Sequence, residues 1–98
     1  MQVQVPHKFS QTEAIARVQA ALDEARPKAA GQGAVINEER WDGNVLTFDV
    51  TAQSQRISGT VTVTVDHFDI YAKLPLMLRM FEGRIEQAIR EQSQQMLG

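Results

Sequence analysis

Apolar residues recur along this chain in two periods. Gln2-Val3-Gln4-Val5 alternates polar with apolar, the pattern of a short half-buried strand, and Pro6 stops it or leaves it on a sheet edge. Ser10-Gln11-Thr12-Glu13 reads as a capping box, with Phe9 placed as a hydrophobic staple over the first helical turn. Ile15, Val18, Leu22 and Ala25 follow at helical spacing, and Ala14 and Ala21 widen the stripe. Pro27 is expected to end or kink this helix near Ala25, with Gly31 and Gly33 in the exit loop.

The middle of the chain has the period of a β-meander. Ala34 to Trp41 is a polar strand, placed at the periphery because Asn37-Glu38-Glu39-Arg40 interrupts it. Asp42-Gly43 marks a hairpin turn, and Val45 to Thr51 carries Leu46, Phe48 and Val50 on one face. After a polar turn at Ala52 to Gln55, Ile57, Gly59, Val61, Val63 and Val65 alternate with Ser58, Thr60, Thr62 and Thr64. Asp66-His67 turns into Phe68, Ile70, Ala72 and Leu74. Pro75 opens a last helix whose stripe is Met77, Leu78, Phe81, Ile85, Ala88, Ile89 and Met96. The sequence therefore predicts an α+β, two-layer domain spanning residues 1–98: an antiparallel sheet with two helices packed on one face, in the order β-α-β-β-β-β-α.

Composition narrows the function. At 98 residues the chain is long enough for one core without covalent staples. Ten basic against twelve acidic residues give a net charge of −2, which lacks the footprint of a nucleic-acid binder. With no Cys, disulfides, thiolate metal sites and cysteine nucleophiles are excluded, which fits a reducing compartment and equally a cysteine-free secreted domain. No apolar run reaches the ~20 residues of a transmembrane segment, and Met1 to Pro6 lacks the features of a signal peptide.

Candidate chemistry is sparse. His7 precedes the first helix, on the surface or bonded to a loop. Asp66, His67 and Asp69 contain metal-ligating types, yet neighbouring strand positions point to opposite faces, so a polar turn is the simpler reading. Glu38, Glu39 and Asp42 resemble a carboxylate cluster, but their polar setting reads as a solvated edge. No nucleophile elbow, phosphate loop, cofactor motif or metal-ligand spacing occurs, and the Thr ladder is explained by β propensity.

The last helix carries the one candidate surface. Leu76 and Met80 are i,i+4 neighbours lying off the apolar stripe, on the side shared with Gly83 and Gln87. Gly83 costs about 1 kcal/mol against Ala in a helix, which close approach of another backbone would explain. Leu76 and Met80 are either tucked beneath the first helix or N-terminal strand, or they form an apolar contact patch with an adaptable Met.

Ile57-Ser58-Gly59-Thr60-Val61, Asp66 at the turn, Lys73-Leu74-Pro75 and Phe81-Glu82-Gly83-Arg84-Ile85-Glu86 together resemble the polyhydroxyalkanoic acid system family. The Pro6-His7 entry and the hairpin from Trp41 to Phe48 carry the same resemblance, which extends over nearly the whole chain. The stretch with Pro27, Gly31 and Gly33 and the polar segment 37–40 are less typical. The resemblance implies a bacterial, cytoplasmic, non-catalytic accessory protein of polyester storage that binds a granule or a granule protein. It brings no catalytic residues and no cofactor. Two other classes compete: a carrier holding an apolar acyl ligand between sheet and helices, and an enzyme on hydroxyacyl substrates, disfavoured for want of a nucleophile or tuned acid/base pair. A homodimer through the last helix is compatible with each.

Overall fold

The structure, a computed structural model, describes residues 1–97, with side chains described through Gln95. Five strands form one antiparallel sheet: β1 (Gln2–Pro6), β2 (Val35–Asp42), β3 (Val45–Ala52), β4 (Gln55–Val63) and β5 (His67–Lys73). Their spatial order is β1-β5-β4-β3-β2, so a four-strand meander is completed by the N-terminal strand beside β5. The helices are α1 (Gln11–Gly31), α2 (Leu76–Arg79) and α3 (Glu82–Leu97). The expected α+β order holds, with the last helix split in two.

Alternation decides which face is buried. Val3 and Val5 pair with Ile70 and Phe68, and these pair in turn with Val61 and Val63. Leu46 continues the row beyond Val61. Ala14 and Val18, one turn apart on α1, press onto this face and are buried with it. Phe68, at 1% exposure, is the largest side chain at the centre, and its burial contributes about 2–3 kcal/mol. α3 lies along β1 and against α1. Arg90 of α3 donates from Nη1 to the Gln4 carbonyl at 2.9 Å, occupying part of the otherwise free edge of β1.

The capping box expected at the start of α1 is realised in one half, since the Glu13 carboxylate turns to Arg17 instead of back to Ser10. The Ser10 hydroxyl accepts the Glu13 N–H at 3.1 Å. His7 is buried rather than superficial. Phe9 N–H donates to its Nδ1 at 3.1 Å, so the proton belongs on Nε2, which donates to the Thr64 carbonyl at 2.9 Å. This ring thus bolts the entry to α1 onto the β4–β5 turn, stacked on Phe9 and tilted at 44° against Phe68.

Pro27 does not stop the helix, which runs on to Gly31. Pro27 and Asp23 are both exposed, so the Asp23 carbonyl left without an N–H partner faces water. The real stop is a Schellman turn: Gly33 N–H donates to Ala30, Ala34 N–H to Ala29, and Gly33 adopts φ +83°. Arg26, just before Pro27, pairs with Asp23 and with Glu39 of β2.

The final stripe also departs from expectation. Helical periodicity puts Met77 and Phe81 on the buried face, yet they are 70% and 51% exposed, and Ala88 is exposed too. The helix breaks at Met80, where Phe81 N–H donates to Leu78 O in a tight i→i−3 step that rotates the register. Only beyond it does the stripe reach the core, through Ile89. Met96 lies outside the residues whose side chains are described.

Two backbone features make the sheet testable. A Cβ at Gly59 would stand 1.9 Å from the Tyr71 carbonyl oxygen and 2.9 Å from the Ala72 Cα. Gly59→Ala should therefore force β4 and β5 apart and cost about 3 kcal/mol. The midpoint of thermal unfolding should fall by more than roughly 10 °C, and an unchanged midpoint would contradict so close a strand approach. In the β3–β4 turn, Gln53 and Ser54 hold φ of 52° and 64°, strained values for side-chain-bearing residues. The double change Gln53→Asn/Ser54→Gly supplies the residues this turn favours and should stabilise by about 1 kcal/mol. A lower melting temperature in that variant would show that the turn is not strained.

Candidate functional site

α2 is built to project. Leu74 is buried at the end of the sheet, and Pro75 caps α2 in extended conformation, with φ −58° and ψ 156°. The four-residue helix that follows has no buried residue. Leu76, Met77, Met80 and Phe81 are 79%, 70%, 84% and 51% exposed. The choice left open by the sequence is thus resolved toward exposure: Leu76 and Met80 are not beneath α1 or β1. Two further large apolar side chains join them because the break at Met80 turns Met77 and Phe81 outward.

Gly83 and Gln87 are exposed on α3, and Gln87 donates to Glu91 at 3.1 Å. No atom lies within 4 Å of a Cβ built on Gly83, so nothing among the described residues makes the close backbone approach that this glycine would allow. An apolar row crosses the sheet toward the β3–β4 turn. Ile36, Val50 and Ile57 are direct cross-strand partners on the helix-bearing face, and none is fully buried. Gln55, from the same end of β4, has its Nε2 3.9 Å from the Met77 sulfur.

The other candidate residues occupy structural positions. Asp66 accepts from His67 Nδ1 at 2.7 Å and from the Thr64 hydroxyl at 3.3 Å, whereas Asp69 accepts from Gln2 at 3.0 Å. The hydrogen bonds from His67 and then Thr64 hold the Asp66 carboxyl below its ordinary value. Among the described residues, no three His, Cys, Asp or Glu side chains are grouped to hold a metal. Glu39 corrects the solvated-edge reading. Alternation turns it to the inner face beside Phe48, where Arg26 donates from Nε to both oxygens at 3.1 Å.

A polar cluster emerges that the sequence pattern does not reveal. On the outer face, Asp49, Ser58 and Lys73 are directly opposite one another across β3, β4 and β5. Arg56, two residues before Ser58, donates from Nε to both Asp49 oxygens at 2.9 Å, and Asn37 donates to Asp49 at 3.1 Å. Asp49 is consequently 9% exposed, and Arg56 first, then Asn37, holds its carboxyl below the usual carboxylate range. Asn37 reaches it because the β2–β3 register skips that residue. Arg56, Ser54, Ser58, Lys73 and Pro75 line a concavity of about 460 Å³. The sequence signal is a charged residue in each outward-facing row, Asp49 between Thr47 and Thr51, Arg56 before Ser58 and Lys73 after Tyr71, and strand register is needed to join them.

A second, apolar cleft of about 210 Å³ lies between α1 and α3, floored by Val61, Phe68 and Ile70. Among the described residues no helix is long and apolar enough to cross a membrane.

These features define a small α+β sheet protein with a projecting apolar helix. Residues 1–97 match the family described as "Putative polyhydroxyalkanoic acid system protein (PHA_gran_rgn)", and the chain belongs to that family. No curated protein and no solved structure matches it.

Asp49 yields a pH prediction. Its lowered carboxyl contributes stability above the ordinary carboxylate value, and that contribution is lost as pH falls through the lower folded-state value. Asp49→Asn should be less stable than the parent at neutral pH, with the gap narrowing below about pH 4. Urea midpoints across pH 7 to 2.5 would measure it, and a pH-independent gap would remove the ion pair as its cause.

Proposed function

We propose that this member of the polyhydroxyalkanoic acid system family is a non-catalytic accessory protein that adsorbs to the polyester storage granule through α2. The observation carrying this reading is the exposure of Leu76, Met77, Met80 and Phe81 on one short projecting segment. Four large apolar side chains in water favour transfer to an apolar surface, and the two Met side chains adapt to an irregular one. A patch of this size gives reversible adsorption, since even a lipid chain anchors marginally by itself. His7, Asp66, His67 and Asp69 are committed to turns and strand pairing, which supports a binding role over a catalytic one. The carrier alternative is disfavoured by size: the α1–α3 cleft is about 210 Å³, below the roughly 300 Å³ of ordinary ligand pockets.

Fractionation of a polyester-accumulating bacterium expressing the tagged chain tests the proposal. The protein should sediment with granules, and Leu76→Ser/Met80→Ser should reduce that enrichment at least about tenfold. Because both side chains are exposed, the melting temperature should stay within about 3 °C. Enrichment that survives the double change would place the contact elsewhere. A protein found only in the soluble fraction, with and without polymer, would overturn granule adsorption.

A further inference from the structure

We propose that the outer-face concavity at the β3–β4 turn is a binding site for an aliphatic carboxylate. The carboxylate would sit between Lys73 and Arg56, and the chain would run over Pro75 onto α2. The proposal shares α2 with the granule reading but does not rest on it.

The charge balance selects the head group. Glu38, opposite Asp49 on β2, faces Arg40 at 3.9 Å. Among the residues lining the hollow, Asp49 neutralises one of two cations and leaves one net positive charge. That suits a monoanion better than a phosphate dianion. Arg56 is held through Nε and Nη2 by Asp49, which is fixed in turn by Asn37. Its Nη1 donors have no partner among the described hydrogen bonds, so the guanidinium is positioned while one edge stays available. Lys73 has no carboxylate partner among the described ion pairs and stands directly across from Ser58. The Ser54 and Ser58 hydroxyls line the same hollow and can donate to the second carboxylate oxygen.

The position of the site selects the tail. Pro75 forms a wall of the concavity and is also the residue that caps α2. Gln55, in the hollow, touches the Met77 sulfur, tying the turn to the exposed apolar segment. A polar hollow therefore opens beside an apolar surface, matching a molecule with a carboxylate at one end and an alkyl chain at the other. The strained Gln53–Ser54 turn borders the hollow and places Ser54 in it, a cost of the kind found at ligand clamps.

Sodium octanoate, titrated into ¹⁵N-labelled protein and followed by NMR, is the direct probe. Amide shifts should centre on residues 54–58 and Lys73. Acetate, lacking the tail, and 1-octanol, lacking the charge, should each bind at least about tenfold more weakly. Lys73→Gln, at an exposed position, should weaken octanoate about tenfold without moving the melting temperature. Equal affinity in that variant, octanol binding as tightly as octanoate, or shifts centred on Val18, Leu22 and Gln92 of the α1–α3 cleft would overturn the assignment. Two sources share this chemistry, a free aliphatic acid and the carboxylate end of a polyester chain. Release of the protein from purified granules by octanoate supports the chain end, and octanoate binding without release supports the free acid. Failure of granule association alone would remove the adsorption proposal and leave the octanoate titration standing, while the reverse result would remove only this one.

Discussion

Two helices side by side cover about 20–24 Å, close to the width of a five-stranded sheet. They cover it fully only when centred on it, and here they are displaced toward β1. That displacement governs this fold. α3 is committed to β1, where Arg90 holds the Gln4 carbonyl, and α1 sits between α3 and β4. The cover is therefore closest over β1, β5 and the Val63 end of β4, where Val3, Phe68 and Val63 are buried, and thin toward the β3–β4 turn. Ile36, Val50 and Ile57 form the thin part. Arg26 offsets some of the deficit by reaching from α1 to Glu39. An inward carboxylate at that strand position is tolerable because the cation is supplied from the helix above it.

Features whose cause is local are legible in the sequence itself. The Ser10 cap, the Asp42-Gly43 turn, the two-period alternation and the polar character of β2 follow from interactions within a few positions. Features that depend on distant partners are not. Pro27 resembles a terminator because a proline removes a local hydrogen bond, but solvent at Asp23 and the Arg26–Glu39 clasp let the helix continue. Met77 and Phe81 fall on the buried stripe because a 100° wheel assumes an unbroken helix, and one i→i−3 step at Met80 invalidates it. The Asp49–Arg56–Asn37 cluster requires both the strand register and the irregularity at Asn37, neither of which a single sequence specifies.

The same distinction separates the candidate sites. Leu76 and Met80 can be nominated from sequence because i,i+4 spacing off a stripe is local. Their exposure is a tertiary fact, set by Leu74 staying buried just past β5 while Pro75 redirects the chain. Asp66 and His67, which look more like chemistry, instead complete a turn with Thr64. His7 connects that turn to the start of α1 and packs at a tilt against the central Phe68. The two imidazoles thus lie in the packing at one end of the sheet, whereas α2 and the Arg56–Lys73 hollow adjoin the β3–β4 turn at the other.

α2 itself is hard to explain as a folding element. Four residues are too few to hold a helix on intrinsic propensity, and none of these four is buried. Its shape is imposed by its flanks: Leu74 anchored below, Pro75 fixing the entry, and the Phe81 and Ile85 amides continuing into α3. Polar side chains at Leu76, Met77 and Met80 would satisfy those flanks equally well and would lower the cost of exposing apolar surface to water. The fold therefore dictates where α2 stands but gives no reason for it to be apolar. Contact with an alkyl or polyester surface, as proposed above, would supply that reason without requiring a matching groove.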